Sequence, residues 1–105
     1  MKFMFPAIAA LALAGTGAVA FAAAPHGYTG QELASRARIT MAQARAIALR
    51  AHPGTITDAE LENESGGSGL RYSFDIKSGG KTFEVGVDAM TGAVLENLAE
   101  GPNPD

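Results

Sequence analysis

The sequence predicts an α+β fold: a short N-terminal helix plus one amphipathic helix packed on one face of a four-stranded antiparallel sheet. Three observations predict it. Thr40-Met41-Ala42-Gln43 is a capping box that opens an alanine-rich amphipathic stretch. Three later runs, between Thr57 and Asp88, alternate apolar and polar residues with the period of a strand. Gly79-Gly80 separates two of these runs by the two residues a tight hairpin turn needs.

Residues 1–22 stand apart from this fold and read as an export signal. Lys2 supplies a minimal positive start, Ile8 to Val19 is almost uniformly small and apolar, and Ala20-Phe21-Ala22 is a small-x-small cleavage signal. The apolar stretch falls short of the about 20 residues that span a bilayer. Pro25 disfavours a cut just before it, which places cleavage after Ala22. With neither a twin-arginine pair nor a cysteine for lipid attachment, the expected product is soluble, extracytoplasmic (periplasmic or secreted) and without a stable membrane anchor.

Cleavage removes Lys2 and no carboxylate, so the net charge moves from −3 for the chain to −4. That balance argues against nucleic acid, whose phosphates need a clustered basic surface. The chain has no cysteine and gains no covalent staple in an oxidising compartment. What remains is one domain, burying roughly 60–65% of its unfolded surface, with few side chains to spare for a deep dry pocket.

Residues 23–38 are expected to form a flexible mature N-terminus with a short helix. Thr29-Gly30-Gln31-Glu32 fits a capping box, Thr29 as N-cap and Glu32 at N3, opening a helix to about Ala37. In the main helix, Thr40 is the expected N-cap, with Ile39 and Ala44 at the hydrophobic-staple positions. His52-Pro53-Gly54 stops it after Ala51, because the residue before proline is pushed out of the helical region. At 100° per residue Met41, Ala44, Ile47, Ala48 and Ala51 share the face expected to cover the sheet. Ala42, Ala46 and Leu49 form a second apolar flank, under the first helix or open to a partner.

The strands are expected at Thr57 to Asn63, Leu70 to Lys77, Lys81 to Asp88 and, after a Thr91-Gly92 turn, Ala93 to Leu98. The facing of the last is not fixed by its pattern. Setting Ser78 opposite Lys81 pairs Ile76 with Phe83, Phe74 with Val85 and Tyr72 with Val87, all apolar and all on one face. Ser65-Gly66-Gly67-Ser68-Gly69 reads as a flexible connector, and residues 99–105 as a C-terminal tail.

The same register arranges the outer face. Asp58, Asp75 and Glu84 form one row, Glu60, Ser73 and Gly86 the next, and Glu62, Arg71 and Asp88 the third. Six carboxylates and one arginine (Asp58, Glu60, Glu62, Arg71, Asp75, Glu84, Asp88) are thus the candidate partner-binding residues. Such a face suits a basic protein partner, or weakly a hard cation such as Ca²⁺, which takes oxygen ligands. It also serves simply as a solvated surface. Asp88 stands before a turn, where a carboxylate commonly accepts from nearby backbone N–H groups.

No catalytic residue, metal site or cofactor is predicted. There is no cysteine, no G-x-S-x-G and no H-E-x-x-H, and the glycine-rich loop lacks the lysine of a phosphate loop. His26 and His52 are too far apart in sequence to suggest a zinc site, and His52 suits a helix C-terminus.

The capped helix, its HPG stop, the acidic strand, the strand carrying Tyr72 and the ending Val87-Asp88-Ala89-Met90-Thr91-Gly92-Ala93-Val94-Leu95 together resemble the PepSY domain family, over residues 39–98. The turn residues Asp88, Thr91 and Gly92 and the strand residue Tyr72 carry that resemblance. It implies an extracytoplasmic α+β module found in propeptides of secreted metallopeptidases and in envelope proteins, proposed to inhibit peptidases or restrain them locally. No peptidase domain accompanies it in these residues, so the resemblance implies action in trans on a protein partner, with a peptidase the leading class.

Overall fold

A computed structural model describes residues 27–101. The expected signal segment, its cleavage site and His26 lie outside the described residues. A 3₁₀ helix at Gln31–Arg36 leads into α1 (Met41–Ala51), followed by β1 (Thr55–Asn63), β2 (Leu70–Ser78), β3 (Lys81–Asp88) and β4 (Val94–Ala99). The strands form one antiparallel sheet in the order β1-β2-β3-β4, with α1 across one face.

Helix α1 begins and ends where its sequence dictates. The Thr40 hydroxyl accepts from the Gln43 N–H at 3.1 Å, and Gln43 Oε1 accepts from the Thr40 N–H at 2.9 Å. Met41, Ala44 and Ala48 are buried against the sheet, and Ile39, Ile47 and Leu49 pack beside them. His52 leaves the helix with an extended backbone while its N–H still donates to Ala48 O. Its ring lies 3.8 Å from that of Phe83, and Nδ1 is 3.1 Å from Asn97 Oδ1. The helix end is thereby pinned to both β3 and β4.

The N-terminal element departs from expectation. Thr29 does not cap a helix; it stays extended, bridging in parallel to Glu60, and its carbonyl accepts from the Leu61 N–H at 2.9 Å. The helical turn therefore starts one residue later. Gly30 is the N-cap in a left-handed conformation, with no side-chain cap, and the helix is 3₁₀. Only glycine suits this place, since a β-carbon would also run into the Leu61 carbonyl. The element packs on β1.

Sheet register follows the alternation. Ile76 faces Phe83, Phe74 faces Val85 and Tyr72 faces Val87, while Leu61 faces Tyr72. These residues, with Leu70 and Ala89, make the core under α1, apart from the half-buried Phe83. Strand β1 starts two residues earlier than expected and carries a bulge, which leaves Thr57 between the Ile56 and Asp58 pairings. Tyr72 is buried, and its hydroxyl donates to Ile39 O at 2.6 Å, tying the start of α1 to the sheet. Burial, then the neighbouring Tyr28, pushes its pKa up to about 12.

Candidate functional site

The outer face of the sheet carries the carboxylates that the register predicts, in the rows it predicts. Asp58 faces Asp75, which faces Glu84; Glu60 faces Ser73 and Gly86 follows; Glu62 faces Arg71, which faces Asp88. Strand β4 then extends these rows, placing Leu98 beside Glu84 and Glu96 beside Gly86.

The third row differs in its exposure. Arg71 and Asp88, expected among the open partner-binding residues, are only 8% and 1% exposed. Alternation reveals which face a residue occupies but not what lies over it. Here the loop between β1 and β2, expected to be a flexible connector, folds across the row. The Ser68 N–H donates to Asp88 Oδ2 at 2.6 Å, and its hydroxyl donates to Oδ1 at 2.9 Å. Oδ1 also accepts from the N–H groups of Met90 and Thr91, at 2.8 and 3.0 Å. Burial opposes the charge of Asp88, but the Ser68, Met90 and Thr91 hydrogen bonds win and lower its pKa to about 2. Gly67 makes the approach possible: its φ is +55°, and a β-carbon there would collide with Asp88 Oδ2.

Arg71 lies across Gly86, where a β-carbon would come within 3.0 Å of its Cδ. Its guanidinium donates to Glu96 Oε1 at 3.2 Å and to Ser65 O at 3.3 Å, with Glu64 3.7 Å away. Its Nε has no partner among the described residues. Thr91 and Gly92 complete the turn: Thr91 Oγ1 accepts from the Ala93 N–H at 3.2 Å, and Gly92, at φ +80°, backs onto Ile47 and Ile39. Asp88, Arg71, Thr91 and Gly92 thus hold the loops in place.

What stays accessible is the first row with its extension. Asp58 and Glu84 are exposed, and Glu60, Glu62 and Asp75 are half-buried. Glu62 accepts from the Ser73 hydroxyl at 2.6 Å. Oxygen atoms of Asp75, Glu84 and Glu100 all lie within 4.8 Å of one another. Glu100 was not legible from its own pattern; the Thr91-Gly92 turn and the facing of β4 bring it there. Partial burial first, then Glu96, Asp75 and Glu100, raises the pKa of Glu84. Glu60 is raised by partial burial and then by Asp58, and Glu100 by burial and then by Asp75. The row is a concentration of like charge with no cation paired to it among the described residues.

Leu98, 64% exposed, sits beside this row and places an apolar side chain at the margin of the carboxylates. Arg71 is the sole cation of these three rows and is occupied by Glu96 and Glu64, while Lys77 stands in the next row, between Thr55 and Thr82. The arrangement offers hydrogen-bond acceptors and negative charge on an open surface.

Among the described residues, no helix is long and apolar enough to cross a membrane. A family model for the peptidase propeptide and YPEB domain, PepSY, matches residues 38–98. Its domains are propeptide and regulatory modules rather than catalytic ones, typically extracytoplasmic. Neither a curated protein nor a solved structure matches the chain.

Proposed function

We propose, because the chain belongs to the PepSY domain family, that it is an exported, non-catalytic module that docks on a protein partner of the peptidase class and restrains its activity. The observation that carries this reading is the open acidic row Asp58, Asp75, Glu84 and Glu100, held on a rigid sheet beside the exposed Leu98. Charge of one sign on a fixed surface steers a basic partner and fixes its orientation. Of the candidate contact residues, Asp58, Glu60, Glu62, Asp75 and Glu84 remain accessible, whereas Arg71 and Asp88 act from beneath.

The test is capture. The purified protein, its N-terminus defined by mass spectrometry, is immobilised and exposed to an envelope extract of its source cells. A peptidase retained in stoichiometric amount, and slowed when the protein is added back in solution, is the expected result. A clean eluate from a folded bait would remove the protein-partner reading.

The clustered oxygens of Asp75, Glu84 and Glu100 favour one second reading, a divalent cation on the same row. Calcium at 100 times its dissociation constant would stabilise the fold by about 2.7 kcal/mol. A melting temperature unchanged from micromolar to millimolar calcium would discard that reading.

A further inference from the structure

Among the described residues the outer edge of β1 beside Ile56 to Ala59 is unpaired, and it presents a cleft that shares Asp58 with the acidic row. The Gly27–Thr29 segment, Arg45 of α1 and residues Ile56 to Ala59 of β1 enclose about 340 Å³. Three features of it point to one kind of occupant.

First, this edge already accepts an extended chain. Thr29 bridges to Glu60, and its carbonyl takes the outward N–H of Leu61. Strand alternation turns the Ala59 N–H to the same side, toward the cleft. Second, the edge is closed at one end. Among the described residues Gly27–Thr29 lies there, so a strand laid along residues 56–59 abuts it, and the bulge at Thr57 keeps that strand short. Third, the cleft has its own cation. Arg45 is half-buried and makes no ion pair among the described residues, although its guanidinium suits a carboxylate. Asp58, the other charge lining the cleft, pairs with Asp75 on the outer face, away from the helix layer that carries Arg45. Ile56 and Ala59 supply an apolar floor.

We propose that this cleft takes the free C-terminal end of an extended segment of a partner protein, added to β1 as a short fifth strand. Its terminal carboxylate sits on Arg45, its backbone accepts from Ala59, and a basic side chain lies beside Asp58. The inference deepens the binding-module reading and rests on it, while its test stands apart from capture by the acidic row.

The probe is the acetylated pentapeptide Ile-Thr-Val-Lys-Val with a free carboxylate, compared with the same peptide amidated, each titrated into the purified protein and followed by NMR. The free acid is expected to bind at least tenfold more tightly and to shift the Ala59 amide and the Arg45 Nε resonances. Arg45→Met, which keeps the aliphatic stem, should abolish the difference between acid and amide while leaving the melting temperature within a few degrees. Equal binding of the two peptides, binding indifferent to Arg45→Met, or no binding at millimolar peptide would overturn the proposal. So would contacts in the free protein between Ile56 and the chain's own residues 23–26, which would show the edge already filled. If the peptide fails while a partner is still captured, the β1 edge is removed as the docking mode and the module reading stands; if both fail, both fall.

Discussion

Replacing Asp88 with asparagine is expected to lower the stability of the fold by about 2–3 kcal/mol and its melting temperature by roughly 10–20 °C. The substitution keeps shape and removes charge. One oxygen can still accept from Met90, Thr91 and the Ser68 hydroxyl, but the amide nitrogen then faces the Ser68 N–H, donor against donor. Rotating the amide only moves the conflict to the Met90 and Thr91 N–H groups. The damage extends beyond one turn, since the same carboxylate holds the loop over Arg71 and so keeps that guanidinium between Glu96 and Ser65. Amide exchange in residues 65–69 should accelerate accordingly.

Acid gives an independent check of the cause. The native carboxyl titrates near 2, below its ordinary value of 3.8. Its charge therefore contributes stability that is present above about 4 and is lost as the pH falls toward 2. The gap between wild type and Asp88→Asn should narrow over that window. A gap as wide at pH 2 as at pH 7 would mean that the ionised hydrogen bonds are not its origin.

Asp88 also shows where a sequence reading stops. Its row and its neighbours were legible, because hairpin turn and alternation agree on one register and a slip of one residue would turn every apolar side chain outward. The start and stop of α1 were legible for a similar reason: Thr40 with Gln43, and His52 before Pro53, act within one turn of chain. What covers the third row was not legible. Ser65 to Gly69 has the composition of a linker, and only the three-dimensional meeting of Gly67 with Asp88 turns it into a flap. Thr29 fails in the same way. Its capping pattern is sound locally, but a backbone bond to Leu61, 32 positions along the chain, holds it extended. Glu100 joins the acidic cluster through a β4 bulge around Leu95 that no two-residue period announces. Local signals are read from the chain; cover, long-range backbone pairing and bulges are set by packing.

Reversing Asp75 and Glu84 to lysine should have the opposite profile to Asp88→Asn: partner binding falls at least a hundredfold, while the fold melts at the same temperature or higher. In the free protein these carboxylates repel one another. Partial burial and the neighbouring charges Glu96, Asp75 and Glu100 hold the Glu84 pKa above its ordinary value. A raised carboxyl pKa means that ionisation favours the unfolded chain, so wild-type stability should rise as the pH falls through the native pKa and level off below the ordinary value. Lysine at 75 and 84 meets Asp58, Glu96 and Glu100 instead, which removes that repulsion and flattens this part of the pH profile. A basic partner relieves the same repulsion in the wild type, and the lysines oppose it. Binding should accordingly weaken with salt, over a screening length of about 8 Å at physiological ionic strength. Carboxylates on one sheet thus differ in surroundings: Asp88 is enclosed by donors and stabilises the fold, whereas Asp75 and Glu84 lack such donors among the described residues and keep their mutual repulsion. Affinity unchanged in the double variant, measured by titration calorimetry against the captured partner, would take the contact off this face and move it to the β1 edge or to the Ala42, Ala46 and Leu49 flank of α1.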